Sequence, residues 1–534
     1  MSPRMEILTG TQMQRVDAKT IDRGHATGAA LMEQAGRGIA EAMAQEIPDL
    51  GRRPIFVLCG KGNNGGDGLV ASRHLVRLGA LPRVALFARG EDLRGDPGIH
   101  LRRAVESGVA VEEIAAEEDW SRVCAAIGPD GIVVDALLGT GASGPARGLY
   151  ARAIEDVNAS GATVVAVDLP SGIDADTGRA EGPAILAHRT YTLCRPKAGL
   201  VLPPGDAHAG RFRVIDIGIR DDVVAEESPA LTWTDVDAAS SLLPPRPRTA
   251  HKGTMGHLLA ITGSRGKTGA AVLLARAALR SGVGLVTIGA PRSCLATIAA
   301  GQAEAMTEPL PESRAGALSA AALSPARKLL AVRDALALGP GLGLAPGTAS
   351  LVRALVRART APTVLDADGL NAFGAVSRAA GLTAGTLPMV LTPHPGEAAR
   401  LLATSAGSVQ ADRLGAARSL ARSTGAVVVL KGAGSIVASA DGNAAFNATG
   451  NPGMATGGTG DALTGVIGAL LARGMSAFDA ARLGTYVHGD AGDRAAGRLG
   501  EDGMIAGDLV AELPESWVSL HGIGAERKAW TRDV

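Results

Sequence analysis

Aromatic side chains are nearly missing: Trp, Tyr and Phe make up 2% of the 534 residues. A core without rings has to be built from Ala, Val and Leu, and a hydrophobic content of 46% is enough to build it. Small aliphatic residues suit buried parallel strands flanked by helices. Cysteine is scarce too: Cys59, Cys124, Cys194 and Cys294 form no C-x-x-C pair. That excludes a disulfide scaffold and a cysteine-rich zinc site, and it fits a reducing, cytoplasmic setting. Net charge is absent, with 53 basic residues against 53 acidic ones. Without excess positive charge to displace counterions, no nucleic-acid partner is expected. No apolar run approaches a membrane span, and residues 1–10 lack the apolar core of a signal segment.

Glycine is plentiful, and it is unevenly placed. The densest cluster is Asn451-Pro-Gly-Met-Ala-Thr-Gly-Gly-Thr-Gly-Asp461-Ala-Leu-Thr-Gly465, followed by an apolar stretch to Leu471. This reads as a glycine-rich turn opening a buried helix near Gly460. Free N–H groups at a helix start hold a phosphate without any basic side chain. Asp461 then sits in the first turn beside that anion, where a carboxylate is repelled unless chemistry requires it. A base for a hydroxyl that attacks the phosphate is such a requirement. The plainer alternative is a turn with an acid near a helix cap.

Residues 226–250 read as a linker between two α/β domains, 1–225 and 251–534. Leu243-Pro-Pro-Arg-Pro-Arg-Thr249 places three prolines in four residues, which neither a helix nor a central strand accommodates. In the first half, helices are expected at Leu31–Ile47 and Leu69–Leu78. Strands are expected at Pro54–Cys59, Val84–Phe87, Ile132–Asp135 and Thr163–Val167. The second half repeats the style, with strands at His257–Ile261, Leu285–Ile288, Ala335–Leu338, Thr363–Leu365, Met389–Leu391 and Ala426–Leu430. Alternating strands and helices predict doubly wound parallel sheets. Alanine-rich exposed helices suggest a homo-oligomer.

The strand at Ile55–Cys59 runs into Gly60-Lys-Gly-Asn-Asn-Gly-Gly-Asp67-Gly, where Gly60, Gly62 and Gly65 satisfy G-x-G-x-x-G. A dinucleotide oxidoreductase would also want an acid after the next strand, and Phe87-Ala-Arg89 has none. The paired asparagines and Asp67 supply oxygens that suit a hard cation. Asp135 precedes Leu-Leu-Gly139-Thr-Gly-Ala-Ser-Gly144, and Asp168 precedes Leu-Pro-Ser171-Gly-Ile-Asp174. The carboxyl ends of parallel strands share one edge, so Asp67, Asp135, Asp168 and Ser171 are expected in one crevice. The alternative is that each Asp merely caps a helix.

Asn63-Asn-Gly-Gly-Asp-Gly68, Asp135-x-x-x-Gly139-Thr-Gly and Val167-Asp-Leu-Pro-Ser-Gly172 resemble the NAD(P)H-hydrate epimerase family over residues 10–220. The resemblance implies a Rossmann-like fold and a substrate that carries water across a nicotinamide ring double bond. It implies that Asn63, Asn64, Gly65, Gly66 and Asp67 hold the hydrated nucleotide with Gly139, Thr140, Gly141, Ala142, Ser143, Gly144 and Pro145. It places K⁺ on Asn64, Asp135 and Ser171, and the reacting carbon near Asp168. Loss and return of the hydroxyl inverts that carbon. Asp168 is the expected catalytic residue, a carboxylic acid assisting departure of the hydroxyl.

In the second half, Gly339-Pro-Gly-Leu-Gly343, Asp366–Asn371, His394-Pro-Gly-Glu397, Lys431–Ser435 and Asn447–Asp461 each follow a strand or open a helix. Gly266-Lys-Thr268 is not a P-loop, because the first glycine of that motif would fall on Ile261. Together these segments resemble the NAD(P)H-hydrate dehydratases, of ribokinase-like fold, over residues 250–515. The resemblance implies ADP or ATP as phosphoryl donor. It implies nucleotide contacts at Lys431, Gly432, Ala433, Gly434, Ser435, Gly457, Gly458 and Gly460. Hydrate contacts are implied at Ala270, Gly341, Gly343, His394 and Asp461. Asp461 is the expected base, and Mg²⁺ is expected on the nucleotide phosphates. The sequence thus reads as a bifunctional repair enzyme for both epimers of hydrated NADH or NADPH. The competing readings are a ribokinase-like vitamin kinase fused to a nucleotide-binding domain, and a first domain that only binds.

Overall fold

The computed structural model describes residues 5–142, 144–244, 246–375, 382–383 and 387–530. The chain forms two compact units, Glu6–Leu231 and Thr232 onward. The stretch read as a linker is not free chain. It holds the strand Leu231–Thr234 and the helix Val236–Ser241, whose start is capped by Asp235 accepting the Ala238 N–H at 2.8 Å.

Seven parallel strands make the sheet of the first unit. Their order is Ala110–Glu113, Pro82–Leu86, Ile55–Cys59, Ile132–Ala136, Thr163–Val167, Arg189–Leu193, Arg211–Ile215. The chain adds strands outward from Ile55–Cys59 in one direction, then returns to add Ile132–Ala136 on its other side. Such a reversal opens a crevice beyond the carboxyl ends of those two strands. Ile55–Cys59 and Ile132–Ala136 are buried along their whole length, as a sheet covered on both faces requires. On one face Phe87 lies 5.5 Å from Trp120 and 5.6 Å from Tyr150.

The sheet of the second unit repeats that plan. From Met306–Leu310 the order is Leu285–Pro291, His257–Ile261, Ala335–Leu338, Thr363–Leu365, Met389–Leu391 and Val427–Leu430, all parallel. Ile436–Ala438 and Ala444–Asn447 then continue it antiparallel. The reversal here lies between His257–Ile261 and Ala335–Leu338. Over it pack the helices Thr268–Arg280 and Thr459–Ala472, in contact close enough that a Cβ on Gly465 would lie 2.2 Å from Leu274 O. Alanine, leucine and glycine allow this approach, which the absence of aromatics foreshadowed. No helix among the described residues is long and apolar enough to cross a membrane.

Candidate active sites

In the first unit the motif Asn63–Gly68 is not a loop. It forms the first turns of the helix Asn63–Arg77, with Gly62 as its cap. The glycines serve contact rather than turning: a Cβ on Gly65 would fall 1.8 Å from Gly60 O, and one on Gly60 would fall 2.0 Å from Leu137 O. Helix start and strand end are thereby pressed together at the crevice.

Asp135 ends its strand fully buried, and Ser171 from the neighbouring strand turns back onto it. Ser171 donates its N–H to Asp135 Oδ2 at 2.8 Å and its hydroxyl to Oδ1 at 2.6 Å. Burial raises the Asp135 carboxyl to about 6, with those hydrogen bonds opposing. Asn64 donates to Leu138 O at 2.9 Å, and Leu138 N–H reaches Ser171 Oγ at 2.9 Å. Asn64, Asp135 and Ser171 therefore stand within one hydrogen-bonded group. Asp135 has no cationic side chain as partner among the described residues. A buried carboxylate with amide and hydroxyl oxygens beside it is a donor set that fits a hard monovalent cation.

Asp168 sits in the left-handed region, φ 64°, which aims its carboxylate back under the sheet edge. Its Oδ1 accepts from Leu193 N–H at 2.9 Å, from Thr192 Oγ1 at 3.1 Å and from the Lys197 ammonium. Lys197 is fully buried. The sequence offered no motif for it; its signal is only a lysine after Pro196 at the end of a strand. A carboxylate held by an ammonium, a hydroxyl and an amide N–H is suited to facing a developing positive charge. Asp67, nine-tenths buried, faces this pair, as does Asp17 on the helix Gly10–Asp22. Beyond the ends of the strands Ile132–Ala136 and Thr163–Val167 a cleft of about 190 Å³ is lined by Leu138, Gly139, Ala142 and Gly144, by Leu169, Pro170, Gly172, Ile173 and Asp174, and by Arg179 and Glu181. Ser143 lies outside the described residues.

In the second unit the helix Thr459–Ala472 begins one residue before the expected start. Its cap, Gly458, has φ 98°, which a side chain would strain. Asp461 is in the first turn, where burial lifts its carboxyl to about 6, Asp366 adding and Lys431 opposing. Lys431 is not a solvated lysine. Its ammonium donates to Asp366 Oδ1 at 2.8 Å, and Thr464 donates to Asp366 Oδ2 at 2.8 Å. Burial disfavours that charge, yet Asp366, Glu397 and Asp461 together hold the ammonium above its usual range. A Cβ on Gly460 would sit 3.3 Å from Lys431 Nζ, so glycine there keeps the cation against the helix start. A Cβ on Gly457 would meet nothing within 4 Å.

The turn Lys431–Gly434 is braced from below by the buried Arg413, which donates to the carbonyls of Leu430, Lys431 and Gly434. Ser435 donates to Gly432 O at 3.0 Å, closing the turn around Ala433. Gly341 packs against Ala270, where a Cβ would come within 3.0 Å of the alanine methyl. The Gly343 N–H donates to Asp368 Oδ2 at 2.7 Å. His394 caps the helix Pro395–Leu402 by accepting the N–H groups of Gly396 and Glu397, and its ring is half exposed. His488, unremarked in the sequence, is buried against Thr459 O at 2.8 Å; burial lowers it to about 4, so it is neutral. No group of three or more His, Cys, Asp or Glu among the described residues builds a cage for a metal ion.

Two family profiles match the chain. One described as NAD(P)H-hydrate dehydratase covers residues 258–515, and one described as the YjeF-related protein N-terminus covers residues 28–199. A protein of Moorella thermoacetica named bifunctional NAD(P)H-hydrate repair enzyme Nnr is 45% identical over 511 residues, 96% of each chain. Proteins of the same name from Thermofilum pendens and Escherichia coli are 37% and 35% identical. They cover 97% and 90% of this chain, and 97% and 88% of their own lengths. Among solved structures, the ADP/ATP-dependent NAD(P)H-hydrate dehydratase of Bacillus subtilis, co-crystallised with ATP and Mg²⁺, is 29% identical. It covers 54% of this chain and 98% of its own, with a TM-score of 0.48.

Proposed function

The chain belongs to the family of bifunctional NAD(P)H-hydrate repair enzymes, and we propose from that membership that each unit carries one of the two repair reactions. The first unit interconverts the R and S hydrates. The second dehydrates the S hydrate to NAD(P)H at the expense of ADP or ATP. The observation that supports the second assignment best is the buried Asp461 in a glycine-opened first helical turn beside the Lys431–Asp366 pair.

Hydroxide leaves a tetrahydropyridine ring poorly, and phosphate leaves well. Asp461 takes the proton of the ring hydroxyl as its oxygen attacks the terminal phosphorus of the nucleotide. The bond to the nucleotide breaks, the nitrogen lone pair expels phosphate to leave an iminium, and loss of a proton from the neighbouring ring carbon to solvent restores the ring double bond. The N–H groups of Gly457, Gly458 and Gly460 face the transferring group, where one such donor is typically worth about 10²–10³ in rate. Lys431 supplies charge at the same place, held in position by Asp366. Gly432, Ala433, Gly434 and Ser435 hold the nucleotide. Ala270, Gly341, Gly343 and His394 hold the hydrate. Mg²⁺ would neutralise the nucleotide phosphates and would be brought by them, as the described side chains build no cage for it.

In the first unit we assign K⁺ to Asn64, Asp135 and Ser171, where it would offset the buried carboxylate of Asp135. The hydrate lies against the helix start Asn63–Asp67 and the turn Gly139–Pro145. We assign Asp168, the partner of the Lys197 ammonium, to the reacting ring, where its carboxylate would stabilise the cationic iminium formed when the hydroxyl leaves.

The deciding variant is Asp461→Asn, assayed for nucleotide-dependent dehydration of S hydrate. The expected turnover is lower by about 10²–10⁴, with the hydrate still bound. Near-normal turnover removes Asp461 as the base and with it this reading of the second unit.

A further inference from the structure

The first unit gathers two buried carboxylates, Asp67 and Asp168, and the half-buried Asp17 around one lysine. Lys197 spends its three ammonium protons on Asp168, on Thr192 Oγ1 at 3.3 Å and on Leu193 O at 2.8 Å. It has none left for Asp67, which comes from the helix Asn63–Arg77, or for Asp17, which comes from the helix Gly10–Asp22. Neither carboxyl forms an ion pair among the described residues, and Asp67 is only 8% exposed. Were all three acids ionised, two uncompensated negative charges would stand near one another with little access to solvent, which is costly.

We infer that Asp67 is a second catalytic residue of the epimerase unit, the acid that delivers a proton to the departing hydroxyl, and that Asp17 is the neighbour that keeps that proton in place. The inference rests on the epimerase reading and extends it to two residues with distinct tasks. Burial pushes the Asp67 carboxyl well above the usual range, with Asp168 and Asp17 adding and Lys197 opposing. Burial likewise lifts Asp17 to about 6, Lys197 opposing and Asp168 adding. The other titratable groups facing the cluster are thiols. Cys59, on the strand under Asp67, is pushed far up by burial, and Cys194 is raised to about 11 by burial against Arg195 and Lys197. Both are uncharged near neutral pH.

The step balances without an oxidant or a second substrate. The proton leaves Asp67 for the ring hydroxyl, the C–O bond breaks with its electrons going to oxygen, and water departs. The ring nitrogen lone pair closes the C=N⁺ bond, and the iminium is matched by the carboxylates of Asp168 and the newly ionised Asp67. Water then adds to the other face of that carbon, and the proton it sheds returns to the Asp67–Asp17 pair.

The test uses the full chain without nucleotide and follows equilibration of resolved NADH-hydrate epimers across pH. Asp67→Asn should slow equilibration by about 10² or more at saturating hydrate. Because the acid form is required, the rate falls as pH rises through the pKa of Asp67. Asp17→Asn removes a like charge, lowers that pKa and moves the alkaline limb to lower pH. Asp67→Asn equilibrating at the parent rate, or Asp17→Asn leaving the alkaline limb unmoved, overturns the inference. Should Asp67→Asn fail to fold, the limb of Asp17→Asn decides alone. A parent chain that does not equilibrate the epimers would instead sink the epimerase reading, and this inference with it.

Discussion

Asp461 carries a conflict between stability and chemistry. Its carboxyl is lifted from 3.8 to about 6 in the fold, so the folded chain binds its proton more tightly than the unfolded chain does. A raised carboxyl contributes stability that is complete below about pH 4 and is lost as pH climbs through about 6. Asp461→Asn escapes that loss. It should therefore melt higher than the parent at about pH 8, by the equivalent of up to about 3 kcal/mol, and melt like the parent at about pH 4. A variant that is no more stable in the alkaline range would mean that the carboxyl is not perturbed by burial. Asp135, also near 6, makes a different prediction because K⁺ would neutralise it. Titrating K⁺ should raise the melting temperature of the first unit, and Asp135→Asn should abolish the rise; equal response of both chains contradicts the assignment. At this scale the sequence was legible where chemistry sits in a motif. Asp135 and Ser171 were expected together and are bonded. Lys197, Asp17, Arg413 and His488 were not legible, because each reaches its site by tertiary packing and stands in no local pattern.

Both crevices are made by helices whose first turns are glycine, and the glycines have separable duties. Gly458 needs its positive φ, and a Cβ there would also meet Leu273 Cδ1 at 2.5 Å; Gly457 faces open space. Gly458→Ala should cost about 1–2 kcal/mol in stability. Gly457→Ala should leave the melting temperature unchanged and still weaken nucleotide binding in calorimetry, since the added methyl occupies only the space the phosphate needs. If both variants bind nucleotide like the parent, the helix start is not the phosphate site. Elements buried on both faces were readable as short apolar runs, and His257–Ile261, Ala335–Leu338 and Thr163–Val167 form as expected. Arg189–Leu193, Ile436–Ala438 and Ala444–Asn447 escaped although buried, and other strands that escaped are of another kind. Ala110–Glu113 and Arg211–Ile215 are edge strands, largely exposed and charged, and Met306–Leu310 contains a proline. They hold their place by pairing with a neighbour rather than by hydrophobicity. The helix expected from Leu69 begins at Asn63, because close packing of its glycines against Gly60 and Leu137 decides there rather than glycine propensity.

In both units the seven parallel strands follow the same order with one reversal, which gives each a crevice where a ligand can bind. Zero net charge suits such a molecule, whose sites work through main-chain amides and buried acids rather than a long-range field. The two reactions should separate by mutation. With Asp67→Asn, a mixture of epimers should be restored quickly only up to its S fraction, and with Asp461→Asn nothing should be restored although the epimers still equilibrate. The most direct measurement incubates the whole protein with mixed NADH hydrates, Mg²⁺ and either ADP or ATP, and follows the nicotinamide absorbance alongside the spent nucleotide. The account predicts complete return of NADH with one nucleotide consumed and one phosphate released per molecule restored. Consumption of nucleotide with a stable phosphorylated product and no return of NADH would contradict it.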